Sequence, residues 1–296
     1  MKKLLLPLFF LTGLLIGINA QDDQKAAANK LIGYATTDTL QGWKYSGLVG
    51  ITFGQTSLTN WYAGGDNTVS GNFLLNGQLN YLRDRWSWSN MLALEYGMIY
   101  SSSNDWRKSS DRISFTSIGG YQINSKWSYA ALLDFKTQFA KGYDYSESDV
   151  DYISTFMAPA YANLALGVTY KPNANYTLFL SPLTERATFV LDDYLSDKGK
   201  FGVNPGDKVL WQTGAYFVGS TTQKLASNID LISTLNMFTP YDDNFGNVDI
   251  DWNLLINFQL YKFLSANLNT TLRYYDSEVS KIQFKEIFGL GITYNF

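Results

Sequence analysis

The sequence predicts an all-β chain: a closed, antiparallel, up-and-down transmembrane β-barrel of about twelve strands, preceded by a cleaved signal peptide. Three observations predict it. The chain opens on an export signal, the rest is a succession of period-two segments without a helical apolar span, and the connections alternate short and long.

The signal comes first. Met1-Lys2-Lys3 is a charged start, residues 4–18 are apolar apart from Pro7, Thr12, Gly13 and Gly17, and Ala20 supplies a small residue before Gln21. A spanning helix needs about 20 apolar residues, and no Cys follows the run, so neither an anchoring helix nor a lipoprotein anchor fits. The expected organisation is a signal peptide at 1–20, a polar periplasmic lead-in at 21–42 and a barrel at 43–296. The net charge is −3 and there is no basic patch, which argues against nucleic acid as a partner. With 21 Tyr, 19 Phe and 8 Trp, the aromatic content exceeds what a soluble core requires. Cys is 0, so an exported chain of this kind is held by backbone pairing and packing rather than by disulfides.

The strands follow in order. Alternation predicts them at 43–54, 69–82, 86–100, 111–123, 127–139, 159–170, 176–181, 209–218, 226–238, 248–260, 264–275 and 283–296. In 69–82, Phe73, Leu75, Leu79 and Tyr81 oppose Ser70, Asn72, Asn76, Gln78 and Asn80. In 127–139, Trp127, Tyr129, Ala131, Leu133, Phe135 and Phe139 oppose Ser128, Asp134, Lys136 and Gln138. In 248–260, Ile250, Trp252, Leu254, Ile256, Phe258 and Leu260 alternate with acids and amides, and 264–275 repeats the pattern with Ser, Asn, Thr and Arg. Polar faces of this composition suit a hydrated interior. The segment at 176–181 is short because Pro182, which cannot donate to a ladder, is expected to end it.

The connections at 83–85, 124–126, 171–175, 219–225 and 261–263 are short, whereas those at 55–68, 101–110, 140–158, 182–208, 239–247 and 276–282 are mostly longer. Strict alternation of this kind is the rule for short periplasmic turns and longer outer loops. Aromatic residues gather at both ends: Trp43, Trp86, Trp88, Trp127, Tyr170, Tyr176 and Tyr294 toward the short turns, Tyr100, Phe139, Trp211, Trp252 and Phe284 toward the long loops. Two such belts are what a bilayer's two interfaces impose.

The final strand places Phe288, Leu290, Ile292, Tyr294 and Phe296 on one face. Its ending, Gly291-x-x-Tyr294-x-Phe296, resembles the terminal strand of bacterial outer-membrane barrels, which the barrel-assembly machinery reads. That resemblance implies this machinery and outer-membrane lipid as partners. Further motifs recur together: Gln55-Thr56-Ser57-Leu58-Thr59-Asn60-Trp61 with Gly64-Gly65, Phe135-Lys136-Thr137-Gln138-Phe139, Phe179-Leu180-Ser181-Pro182-Leu183-Thr184, and Phe201-Gly202-Val203-x-Pro205-Gly206. In these the chain resembles a Bacteroidota family of outer-membrane barrels known only as a domain of unknown function, DUF3078. The resemblance implies a location and a fold, and it transfers no functional residues.

The chemistry is bounded by what is missing. His and Cys are both 0, which rules out a histidine-assisted serine lipase, deacylase or acyltransferase; a carboxylate-pair mechanism stays open, but no acidic pair is evidently placed for one. No catalytic residue, metal or cofactor is therefore expected. The charged residues on inward faces are Lys44, Glu95, Arg112, Asp134, Lys136, Asp230, Asp249, Asp251, Arg273 and Lys285. They fit either a pore whose mixed charges set selectivity or ion pairs bracing a plugged interior. Trp61 with Gly64 and Gly65 is a candidate constriction or stacking site, set against the plainer reading of a tight turn with an interfacial Trp. The acidic run 241–251 carries oxygen ligands but not the spacing of an EF-hand. The leading expectation is a passive pore or transporter for a small solute. The alternative is a closed barrel that docks another envelope component through its outer loops.

Overall fold

A computed structural model describes residues 41–58, 66–103, 105–144, 151–173, 175–241, 245–261 and 264–295. Twelve strands form one closed ring: β1 (Gly42–Thr56), β2 (Thr68–Arg83), β3 (Trp86–Ser101), β4 (Asp105–Gln122), β5 (Trp127–Thr137), β8 (Ala160–Asn173), β9 (Tyr176–Phe189), β10 (Val209–Ala226), β11 (Ile229–Pro240), β12 (Asp249–Tyr261), β13 (Leu264–Tyr275) and β14 (Val279–Asn295). Two short strands, β6 (Gly142–Tyr143) and β7 (Tyr152–Ser154), pair apart from the ring in the connection after β5. Each ring strand is antiparallel to its sequence neighbour. The ring closes where β1 meets β14, from Leu48↔Asn295 to Phe53↔Leu290.

Alternation sets which side each residue takes. On β1, Tyr45 is 77 % exposed and Ser46 only 7 %. On β14, Ile282, Phe284, Phe288, Leu290 and Ile292 all lie on the exposed outer face, and Gly291 on the other face is buried. Inside are buried polar groups such as Gln78, Glu95, Asp134, Asn163, Thr177 and Asp251. Apolar outside and polar inside is the reverse of a water-soluble sheet. At the short-turn end the outward aromatics pair across strands: Trp43 lies 4.9 Å from Tyr81 and 5.7 Å from Trp88, Trp86 4.9 Å from Tyr121, and Trp127 4.5 Å from Tyr170. Such cross-strand ring pairs fix the register of the strands that carry them.

Pro182 does not end its strand. β9 continues to Phe189, because two bulges take up the missing donor. On one side Ser181 pairs with Tyr216 and Thr184 with Gly214, so Pro182 and Leu183 oppose Ala215 alone. On the other side Leu180 pairs with Val168 and Leu183 with Leu166, leaving Gly167 opposite two residues. The Ser181 hydroxyl lies 2.8 Å from the carbonyls of both Leu166 and Leu183 and accepts from Thr184 Oγ1 at 2.9 Å, which staples the bulge. Position 167 must be Gly here: a Cβ would sit 2.0 Å from the Leu180 carbonyl oxygen.

Other bounds move for similar local reasons. β10 runs on to Ala226, with Ser220 and Thr222 buried inward, so the turn follows Ala226 rather than filling 219–225. The outward residues there are Gly219, Thr221 and Gln223, and with Leu225 at the far end as the one apolar member the alternation fades from the sequence. β4 begins at Asp105 and β14 at Val279, which makes the connections after β3 and β13 tight. The long connections at that end are those after β1, β5, β9 and β11.

Two of these fold into a cap. The connection between β9 and β10 contains a short helix, α1 (Asp193–Asp197), and a 3₁₀ turn, Lys200–Gly202. Asp192 caps α1 by accepting from Leu195 N at 3.0 Å, and it also accepts from the Tyr152 hydroxyl of β7 at 3.1 Å. Gly199, in the left-handed region at φ 62°, turns the chain out of the helix. Ala158, Val190, Leu195 and Val203 are buried between the two connections, with Tyr152, Tyr194, Phe201 and Leu210 packed on them. Lys208 donates to Asp193 at 2.5 Å and holds that exposed carboxyl below the usual carboxylate range. At Gly202 a Cβ would lie 3.2 Å from the Ser277 Cβ, so the cap rests against the turn between β13 and β14.

Gly167→Ala is expected to cost at least about 1–3 kcal/mol, since backbone must move to admit the methyl group. Urea unfolding of the refolded protein, followed by heat-modifiable gel mobility, checks this; an unchanged midpoint contradicts the bulge geometry.

Candidate functional site: a lumenal ring of charge

The barrel encloses a cavity of about 580 Å³. Glu95 on β3, Arg112 on β4, Asp134 and Lys136 on β5, Asp251 on β12, Arg273 on β13 and Lys285 on β14 all line it, so the charges converge from both sides of the lumen. They are paired loosely. Arg112 Nη2 lies 3.4 Å from Glu95 Oε2, Lys136 Nζ 3.6 Å from Asp134 Oδ2, and Arg273 Nη2 3.5 Å from Asp251 Oδ2. Arg273 Nη1 is also 3.9 Å from Oε2 of Glu278, just after β13.

The carboxylates have further donors. Asp134 accepts from Thr116 Oγ1 at 2.9 Å and Asn163 Nδ2 at 3.3 Å, and Asp251 from Asn253 Nδ2 at 2.5 Å. Glu278 accepts from the Tyr161 hydroxyl at 3.0 Å and Gln283 Nε2 at 3.1 Å. Tyr161 also meets Tyr275 edge-on, with ring centroids 5.6 Å apart, which bridges β8 to β13 across the lumen.

A second group lies beside the first and is filled. Arg186 on β9 donates from Nε to Asn163 Oδ1 at 2.9 Å and from Nη1 to Asp249 Oδ2 at 2.5 Å, and its guanidinium carbon lies 3.6 Å over the Phe238 ring. Ile118, Leu132, Ala165, Phe179, Tyr216, Val218 and Phe238 pack together inside the wall from β4 to β11. The lumen thus has one lobe packed with side chains and one lobe open.

Of the remaining residues singled out in the sequence, Asp249 turns to Arg186. Lys44, opposite Asn80, and Asp230, opposite Lys224, stand toward the short-turn end and away from the cavity lining. Trp61, Gly64, Gly65 and Phe296 lie outside the described residues, as do Asp242, Asp243 and Asn244 of the acidic run. The backbone of Tyr294 pairs with Val49, and Gly291 pairs with Thr52, where a Cβ would come within 2.9 Å of Thr52 Oγ1. Among the described residues no cluster of His, Cys, Asp or Glu is placed to hold a metal ion. Sequence reasoning missed Arg186, Tyr161, Tyr275 and Glu278. The alternation Thr184, Arg186, Thr188 carries a signal for the first, hidden by reading Pro182 as a strand end.

Comparison with family models finds a match to part of the chain. Residues 53–143 match the family model described as Protein of unknown function (DUF3078). The matched stretch runs from β1 into β6 and includes Glu95, Arg112, Asp134 and Lys136. No curated protein matches the chain. The solved structures it resembles include an outer membrane channel from Pseudomonas putida F1, at 13 % identity over 87 % of this chain and 96 % of that one, TM-score 0.41. Another is the translocator domain of the autotransporter NalP from Neisseria meningitidis, at 9 % identity over 94 % and 96 %, TM-score 0.37. A third is Pseudomonas putida OprB, at 11 % identity over 86 % and 94 %, TM-score 0.33.

Arg186→Ala would leave Asp249 without its partner inside the wall, and a loss of about 3–5 kcal/mol is expected. Arg186→Leu with Asp249→Leu, which removes both charges, is expected to recover part of it. Chemical unfolding of the three proteins in lipid checks the order; a double variant less stable than the single one contradicts it.

Proposed function

We propose that this chain is a passive pore of the bacterial outer membrane that admits a small polar or amphipathic solute. The observation that carries the reading is the roughly 580 Å³ cavity lined by charge, inside a ring whose outer face is apolar. Outward side chains such as Phe53, Phe288 and Ile292 are stabilised by lipid, since each Å² of apolar surface removed from water contributes about 25 cal/mol. The export signal expected at 1–20 and the terminal strand support the outer membrane as the place. An inner face carrying both signs of charge is the arrangement by which a pore discriminates among solutes. With His and Cys both 0, transport fits the chain better than catalysis.

A second reading is favoured by one observation. The apolar packing of Phe179, Leu132, Phe238 and their neighbours fills one lobe of the lumen, as it would in a closed barrel whose cap docks an envelope partner. Planar-bilayer recording separates the two. The pore reading predicts discrete conductance steps from the refolded protein, with amplitudes or ion preference altered by Asp134→Asn or Lys136→Gln. Persistent silence from a barrel shown to be folded by its heat-modifiable mobility contradicts it.

A further inference from the structure

We propose that the lumenal ring is an anion-binding constriction for small solutes bearing a carboxylate or phosphate group. Its transport role rests on the pore reading above, whereas the binding itself stands on the geometry of the ring.

Charge count does not decide the sign of the solute, because acids and bases in the ring nearly balance. What decides it is which partner of each pair faces the water. In the Arg112–Glu95 pair the arginine side chain is 39 % exposed and the glutamate 5 %. In the Arg273–Asp251 pair the figures are 36 % and 6 %, and in the Lys136–Asp134 pair 25 % and 5 %. Every pair therefore hides its carboxylate in the wall and presents its cation to the lumen.

Hydrogen-bonding capacity points the same way. Asp134, Asp251 and Glu278 already accept from Thr116, Asn163, Asn253, Tyr161 and Gln283. The cations retain donors. Arg112 and Arg273 meet their carboxylates only at 3.4–3.9 Å, and the Nε of each is buried without an acceptor. Lys285 is exposed to the cavity within the electrostatic reach of Glu95, Arg112, Arg273 and Asp251, and among the described residues it enters no ion pair or hydrogen bond. Among the described residues Glu95 meets only Arg112, but at 5 % exposure it stays in the wall, so the capacity turned toward the cavity is that of the 36–39 % exposed arginines and of Lys285. An oxyanion between Arg112, on one side of the lumen, and Arg273 and Lys285, on the other, would receive charge-assisted hydrogen bonds and relieve the repulsion among three like charges. Below it, Asn76, Ser114, Thr116, Asn253 and Thr271 line the cavity with amides and hydroxyls for the polar body of the solute. The volume of about 580 Å³ falls in the range that holds a small organic ligand, about 300–1,000 Å³.

Gluconate, glucose and glucosamine are matched probes, being anionic, neutral and cationic molecules of similar size. Calorimetric titration into the detergent-folded full-length protein is expected to show binding of gluconate and much weaker binding of the other two. Lys285→Gln and Arg112→Gln are each expected to weaken gluconate binding about tenfold, the scale of one charge-assisted hydrogen bond. In proteoliposomes gluconate should enter faster than glucosamine, and the reversal potential in a KCl gradient should favour Cl⁻ and shift toward K⁺ in both variants. Heat-modifiable mobility confirms that each variant is folded. Equal binding of the three probes, or gluconate binding unchanged in both variants, overturns the anion site. A barrel that binds gluconate but neither conducts nor admits it supports the site and overturns the pore reading alone.

Discussion

Closure of the sheet is the constraint on which everything else depends. Hydrocarbon offers no partner to a backbone N–H or C=O, so a sheet placed there must pair its first strand with its last. The Leu48–Phe53 stretch of β1 does this with Leu290–Asn295 of β14. Close approach at the seam explains the small residues there. At Gly289 a Cβ would lie 2.5 Å from Thr52 Cγ2, and at Gly291 2.9 Å from Thr52 Oγ1. Larger side chains at either position would push the seam apart or force Thr52 to turn. Once the ring is closed, period two assigns every side chain to lipid or lumen without further choice.

A ring of twelve strands also fixes an awkward interior. Eight strands enclose a space that side chains can fill, and about sixteen leave an aqueous channel. Twelve falls between them, and the chain divides the space. Ile118, Leu132, Phe179 and Phe238 fill one lobe, with Arg186 clamped to Asp249 above them. The other lobe stays open, and the paired cations that line it keep 25–39 % of their side-chain surface exposed to it. Ion pairs in the ring span 3.4–3.6 Å, whereas Arg186, whose side chain is only 7 % exposed, closes on Asp249 at 2.5 Å. Buried acids fixed by neighbouring amides and hydroxyls then hold the arginines and lysines in place, with their outer edges turned to the cavity.

Much of the ring was legible in the sequence because lipid and lumen impose opposite demands on alternate residues. Where those demands are strong, as along Trp127–Thr137 or Leu264–Tyr275, the strand can be read directly. Where the outward set loses its apolar members, as at Gly219, Thr221 and Gln223, the strand was hidden. At Pro182 a local rule misled, since the bulge that accommodates proline depends on Gly167 and Ala215 in neighbouring strands and is invisible from one segment. The same error concealed Arg186. The cap between β5 and β10 was not legible either: α1 is only five residues long, and its Asp192–Tyr152 bond joins positions forty apart in sequence. Which partner of each ion pair faces the cavity is likewise a product of packing, and alternation alone could not supply it.

A closed barrel requires β1 and β14 to pair in this register while the protein sits in a membrane. Ile51 and Ile292 are directly opposed and point outward, and the chain has no cysteine of its own. Opposed residues in an antiparallel pair have Cα atoms roughly 4.5–5.5 Å apart, within reach of a disulfide. Ile51→Cys combined with Ile292→Cys is therefore expected to cross-link on mild oxidation in outer-membrane fractions, giving a circularised chain whose gel mobility reverts on reduction. Ile51→Cys with Phe284→Cys, farther up the same strand, should remain open. Failure of the first pair to cross-link in a folded barrel, or equal cross-linking of both, would contradict the closed ring described here.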